Sequence, residues 1–147
     1  MQINDQKPQK NILLGSGREN VDRVYSQLIP RLLHDRCTVN FTIIEKVSTK
    51  EILKACKNHP FDLFMVLLNS IRTDGTFGQH LDRVEEVLKL IRYLKKTYEK
   101  PIIGFFIWGF EDPEIGEKVT EAGVDYYCFL PCDLQKLCDA MIECFSI

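Results

Sequence analysis

The longest apolar run of the chain is Leu63-Phe64-Met65-Val66-Leu67-Leu68, bounded by Phe61-Asp62 before it and Asn69-Ser70 after it. It is too short for a membrane span and suits a strand buried on both faces, at the centre of a parallel sheet. The chain then reaches Asp74-Gly75, a turn-forming pair. Pro101 to Trp108 is a second apolar strand, and Asn11 to Leu14 a shorter one that ends in Gly15-Ser16-Gly17. Thr38 to Glu45 alternates only partly, which predicts an edge strand with one wetter face. Asp125 to Phe129 is the fifth strand, and Pro131 stops it.

Helical periodicity fills the intervals. Val21, Val24, Leu28 and Leu32 lie on one face, with Pro30 predicting a kink near Leu28. Ser48 and Glu51 form a capping box that starts a second helix, with Ile52, Leu53 and Cys56 inward and His59-Pro60 closing it. A third helix is placed from about Leu81 to Tyr98 on Val84, Val87, Leu88, Ile91 and Leu94. Asp112-Pro113-Glu114 reads as a helix start, and Gly123 as the stop of that fourth helix, which buries Ile115, Val119 and Ala122. Asp133 caps the fifth, with Leu134, Leu137, Met141, Ile142 and Phe145 inward. Strands alternating with helices predict a three-layer α/β/α sandwich around a five-stranded parallel sheet, in the flavodoxin-like order 2-1-3-4-5. Residues 1–147 form one domain, with 1–10 expected to be a flexible lead-in. In such a sheet ligands gather at the carboxyl end of the central strands, which directs attention to Leu67 through Asp74.

Composition narrows the function. The chain has 147 residues, 45% hydrophobic and 27% charged, an ordinary globular make-up. A net charge of −2 carries no electrostatic footprint for nucleic acid or an anionic membrane. No apolar run approaches the length of a bilayer span, and the N-terminus lacks a signal peptide's apolar region, so a cytoplasmic location is expected. The six cysteines, at 37, 56, 128, 132, 138 and 144, include no Cys-x-x-Cys, so zinc-type spacing is absent. They read as small buried hydrophobes, and Cys128/Cys132 is the pair to probe for redox behaviour. His34, His59 and His80 have no evident catalytic partner and read as surface or capping residues. No metal set, cofactor or nucleophile–base pair is visible, so no enzyme is expected. Gly15-Ser16-Gly17-Arg18, between a strand and a helix, is a candidate anion-binding loop, although Asn20 stands where a dinucleotide fingerprint needs glycine. Phe77 and Trp108 fall in loops expected at the carboxyl end of the sheet, where they cap the crevice or anchor a partner. Lys89, Arg92, Lys95, Lys96 and Lys100 form a basic outer face on the third helix, expected to be solvated.

Three stretches together resemble the receiver domain of two-component response regulators: Pro60 through the buried strand to Asp74-Gly75, Pro101-Ile102-Ile103, and Ala122-Gly123-Val124-Asp125-Tyr126-Tyr127-Cys128-Phe129-Leu130-Pro131. The resemblance spans roughly Asn11 to Phe145 and implies a phosphoryl-accepting aspartate at the end of strand three. It also implies two acids after strand one for Mg²⁺, a hydroxyl residue after strand four, and a lysine before the strand-five proline. The matching positions hold Leu67 for the aspartate and Gly15-Ser16 or Ser16-Gly17 for the acids. Phe106 takes the hydroxyl position and Leu130 the lysine position. Asn69 and Tyr127, at the family's switch aromatic, are what remains.

The resemblance therefore implies a degenerate receiver domain that takes no phosphoryl group and binds no metal. Leu67, Phe106 and Leu130 are expected to pack into the old pocket. Gly75 to Pro101 is longer than the family's segment, and Thr76 to Asp82 is expected to form an added loop or turn beside the crevice. Active receivers signal through the face of the fourth helix, fifth strand and fifth helix, which here includes Glu117, Glu121, Tyr126, Tyr127, Lys136 and Asp139. Constitutive contact of that face with a protein partner, or a homodimer through it, is the expected use. The alternative is a small-molecule or anion-binding domain using Gly15 to Arg18 and the Phe77/Trp108 rim.

Overall fold

The computed structural model describes residues 9–15, 31, 40–68, 71–78, 81–107, 114–130 and 134–144. Five parallel strands, β1 (Gln9–Gly15), β2 (Asn40–Lys46), β3 (Leu63–Leu67), β4 (Ile102–Ile107) and β5 (Tyr126–Leu130), form one sheet in the order β2-β1-β3-β4-β5. Four helices are described along their length: α1 (Thr49–Asn58), α2 (Arg83–Tyr98), α3 (Ile115–Ala122) and α4 (Leu134–Cys144). Arg31, between β1 and β2, is also helical, while the expected kink at Pro30 lies outside the described residues. Gln9 and Lys10, expected in a flexible lead-in, are instead the first residues of β1, paired with Asn40 and Phe41 of β2.

The period-two geometry of the strands divides the apolar residues between two faces. Leu13, Phe64, Val66, Leu68 and Ile102 join the inner faces of α1, α2 and α3 in one buried cluster. Ile12, Leu14, Leu63, Met65, Leu67, Ile103 and Phe105 join Leu137, Cys138 and Met141 of α4 in the other. Every residue of β3 is buried, as a strand covered on both faces must be. β2 lies at the sheet edge, with Thr42 exposed and Ile43 and Ile44 half-buried.

Local chemistry sets the element ends. Ser48 accepts from the Glu51 N–H at 3.1 Å at the start of α1, and Glu51 reaches back to the Val47 N–H at 3.3 Å, one residue earlier than in a standard capping box. Asp82 caps α2 through the Glu85 N–H at 2.8 Å. At α3, Glu114 holds the N-cap position with no side-chain cap bond, and the expected cap at Asp112-Pro113 lies outside the described residues. Gly123 ends α3 with φ 128°, a conformation that favours glycine. A Cβ there would also come within 2.9 Å of Lys95 Cβ, so α2 and α3 meet closely at this point. Asp125 completes the junction: its carboxylate accepts from the Ile102 N–H at 2.9 Å and from Lys95 Nζ at 2.6 Å.

Candidate functional site

β3 delivers its last residue, Leu67, to the carboxyl end of the sheet. Leu67 is 2% exposed and sits in the apolar cluster on the α4 face with Met65, Ile103 and Phe105. Its register partner on β4 is Phe105, itself 2% exposed, and the Leu68 N–H donates to Phe105 O at 2.8 Å. The apolar neighbour the structure brings to Leu67 is thus Phe105, one residue before the position that the family pattern marks. The backbones of Phe106 and Leu130 lie in β4 and β5, paired with Phe129 and Ile107 respectively.

The chain beyond β3 closes over β1. Ile71 is fully buried, and its N–H donates to Leu67 O at 3.1 Å. Arg72 then forms an isolated parallel bridge with Ser48: its N–H donates to Val47 O at 3.1 Å and its carbonyl accepts from the Thr49 N–H at 3.0 Å. Since β1 separates β3 from β2, the segment must cross the carboxyl end of β1 to reach this partner. Gly15, the last residue of β1, is buried beneath the crossing. A Cβ on Gly15 would lie 2.7 Å from Ile52 Cδ1 and 3.2 Å from Ile71 Cδ1. A side chain at this position meets apolar carbon, and a carboxylate there would lose its hydration without gaining a partner. Gly15 is the one described member of the candidate anion loop; Ser16, Gly17 and Arg18 lie outside the described residues, as do Asn69 and Trp108.

The loop after β3 builds a polar knot at the start of α1. The Asp74 carboxylate accepts from Thr49 Oγ1 at 2.7 Å and from Thr76 Oγ1, at the first turn of α1. Burial alone would raise the Asp74 pKa, but bonds from Thr76, Thr49, the Lys50 backbone and Ser48 prevail and hold it below the usual aspartate value. Thr49 is fully buried and also lies 3.2 Å from Oε2 of Glu86, a 2% exposed carboxyl on α2. Asp74 therefore ties the loop to α1 and, through Thr49, to α2. The chemistry is that of an anchor: an acid at the positive end of a helix, satisfied by hydroxyls and amides. Phe77 folds away from the sheet end, its ring 6.1 Å from that of Tyr93 on α2. It is half-buried against the α1–α2 side of the core instead of lining the crevice rim.

The expected contact face is only partly one surface. Tyr127 is 38% exposed, and a Cβ on Gly116 would collide with its hydroxyl, so the ring lies over α3. Tyr126, its neighbour on β5, points to the opposite face and packs half-buried on the α4 cluster. Glu117, Glu121, Lys136 and Asp139 are all exposed. Lys95, expected on a solvated basic face, is instead paired to Asp125. Cys56 is buried, and desolvation pushes its thiol up to about 12. Cys132, and with it the Cys128/Cys132 pair, lies outside the described residues, as do His34 and His80; His59 caps α1 through its N–H to Ala55 O at 2.9 Å. Among the described residues no group of three or more His, Cys, Asp or Glu side chains can hold a metal ion, and no helix is long and apolar enough to cross a membrane.

Comparison with solved structures places this architecture. The chain is similar to one from Chloroflexus aurantiacus assigned as a response regulator, with TM-score 0.71, 17% identity, and coverage of 96% of this chain and 100% of that one. A response regulator from Thermotoga maritima matches with TM-score 0.69 and 16% identity over 95% of this chain and 99% of that one. A CheY-like receiver domain protein from Methanospirillum hungatei matches with TM-score 0.67 and 16% identity, covering 91% of each chain. No family model matches the sequence, and no curated protein matches it. The chain has the fold of response-regulator receiver domains, flavodoxin-like with strand order 2-1-3-4-5.

Proposed function

We propose that this chain is a phosphorylation-independent relative of receiver domains, acting in signalling by protein contact and not by phosphoryl transfer. The observation that carries the reading is Leu67: the end of β3, where a receiver presents its acceptor aspartate, holds a side chain 2% exposed and packed in apolar core. The crossing of Ile71 and Arg72 over Gly15 supports it, because apolar carbon fills the space beside the carboxyl end of β1. Burying Leu67 contributes on the order of 1.5–3 kcal/mol of transfer free energy, whereas a receiver's clustered carboxylates cost stability through mutual repulsion. With Leu67 in core at the end of β3, surface contact is the use that remains, and on the α3 and β5 side Tyr127, Glu117 and Glu121 are exposed. The test is titration with beryllofluoride and Mg²⁺, followed by NMR of the backbone amides around Leu67. Unchanged shifts at millimolar reagent are expected, and saturable shifts centred on residues 67–72 would refute the reading.

A further inference from the structure

The helix layer carries two charged stripes for which phosphoryl chemistry has no use. On α2, Lys89, Arg92 and Lys96 stand exposed at positions i, i+3 and i+7, with exposed Lys100 four residues further. Like charges at this spacing repel one another along a helix surface. Among the described residues none of these four cations is in an ion pair. On α3 and its N-cap, Glu114, Glu117 and Glu121 are exposed with the same i, i+3, i+7 spacing.

The two stripes are held at fixed heights. Lys95 of α2 touches Gly123 at the end of α3, and its ammonium is paired with Asp125 at 2.6 Å. Lys89 stands six residues before Lys95, and Glu117 six residues before Gly123. Both helices return from the carboxyl to the amino end of the sheet with equal rise per residue, so Lys89 is level with Glu117. By the same count Arg92 is level with Glu121 to within one residue.

We propose that the chain associates with a second copy of itself through the α2–α3 face, about a two-fold axis running between the two helices and parallel to them. Such an axis lays α2 of one protomer on α3 of its partner and shifts neither along its length. Lys89 then meets Glu117 of the partner subunit, Arg92 meets Glu121 of the partner subunit, and the symmetry doubles both pairs. Basic and acidic stripes side by side make a self-complementary surface, while the acidic one repels a phosphate backbone that the basic one alone would attract. A net charge of −2 per chain leaves little long-range repulsion between copies. Tyr93, 37% exposed beside the basic stripe and in tilted ring contact with Phe77, adds an aromatic contact next to the charged pairs. The inference rests on the contact-module reading in that it names one partner, but the two fail separately: beryllofluoride binding tests that reading, and the charge exchange below tests this one.

The experiment is sedimentation of the intact chain and of two double variants, K89E/R92E and E117K/E121K, each first shown to be folded by circular dichroism. Wild type is expected to dimerise, and each variant to dimerise at least about tenfold more weakly. An equimolar mixture of the two variants restores oppositely charged pairs across the axis and is expected to recover association to within about threefold of wild type. Raising salt from about 0.1 M to about 1 M, which shortens the Debye length from about 10 to about 3 Å, weakens the wild-type dimer. A wild type that stays monomeric at about 1 mM, a dimer indifferent to both charge reversals, or folded variants whose mixture does not recover would each overturn the proposal.

Discussion

Leu67→Asp restores the residue type that a phosphoryl-accepting receiver needs, and its cost measures how completely that place has become core. Wild-type Leu67 is 2% exposed and shares its cluster with Met65, Ile103, Phe105 and Met141. Removing the isobutyl group forfeits about 1.5–3 kcal/mol of burial. The introduced carboxylate adds a further penalty of several kcal/mol, because the buried members of this cluster include no cation and, apart from the weakly polar Cys138 thiol, no polar side chain. The sum, about 4–6 kcal/mol, is comparable with the whole stability of many domains. At about 2–4 °C per kcal/mol for a chain of this size, the melting temperature should fall by roughly 10–20 °C. The sign of the pH dependence follows from burial. The introduced acid has a folded pKa above its unfolded value, so its penalty is absent below the unfolded pKa and grows as pH rises through the interval between the two. The gap between variant and wild type should therefore be narrower near pH 4 than at pH 7. Leu67→Met, which conserves volume, should cost under about 1.5 kcal/mol and serves as the control. Thermal melts by circular dichroism at both pH values make the comparison. A Leu67→Asp protein that melts within about 2 °C of wild type at pH 7, and is further stabilised by Mg²⁺, would refute the filled-pocket argument.

Three further outcomes follow from the same geometry. Asp74→Ala should destabilise by about 1 kcal/mol, because it removes the acceptor for the Thr49 and Thr76 hydroxyls at the start of α1. Since the Asp74 pKa is lowered on folding, its stabilisation is present above the unfolded value of 3.8 and is lost as pH falls through the folded one. Urea melts of the variant should consequently show a shallower acid-side decline than wild type, and parallel declines would count against the knot. Gly15→Ala forces a Cβ to within 2.7 Å of Ile52 Cδ1, an overpacking worth about 1–3 kcal/mol, and the double variant with Ile52→Val should recover part of it. Additive costs would mean that the two sites are not in contact. Cys56, buried with its thiol pushed up to about 12, should react with a thiol reagent only through unfolding, so its rate should track denaturant-induced opening. Rapid labelling of Cys56 in the native protein would contradict its burial.

The elements were legible because their signals are local. The run Leu63 to Leu68 announced a strand covered on both faces, and the stripe Val84, Val87, Leu88, Ile91 and Leu94 announced α2, whose start at Arg83 lies two residues after the expected Leu81. Sequence reasoning also found the position of Leu67 at the sheet end. It did not find Phe105 as the partner, because strand register is settled by pairing between β3 and β4 and not by either strand alone. The Arg72–Ser48 bridge was equally hidden: it joins segments on opposite sides of β1, and no periodicity encodes such a contact. Phe77 was misplaced for a related reason. As an aromatic in a polar loop it looked like a rim residue, yet Tyr93 on the outside of α2 gave it a better apolar partner than the crevice. Glu86 is the sharpest departure from pattern: it is an acidic residue within the buried side of α2, its Oε2 lying 3.2 Å from Thr49 Oγ1. A signal was available in Thr49, a hydroxyl on the first turn of α1 next to the capping serine. Its partner could not be named without the fold.

The central claim is that the carboxyl end of β3 accepts no phosphoryl group, and intact-mass measurement after incubation with acetyl phosphate and Mg²⁺ tests it most directly. The account predicts a single unmodified species at every time point, with Leu67→Asp also unmodified wherever it remains folded. A stoichiometric phosphoryl adduct on the wild-type chain, mapped to the carboxyl end of β3, would contradict it.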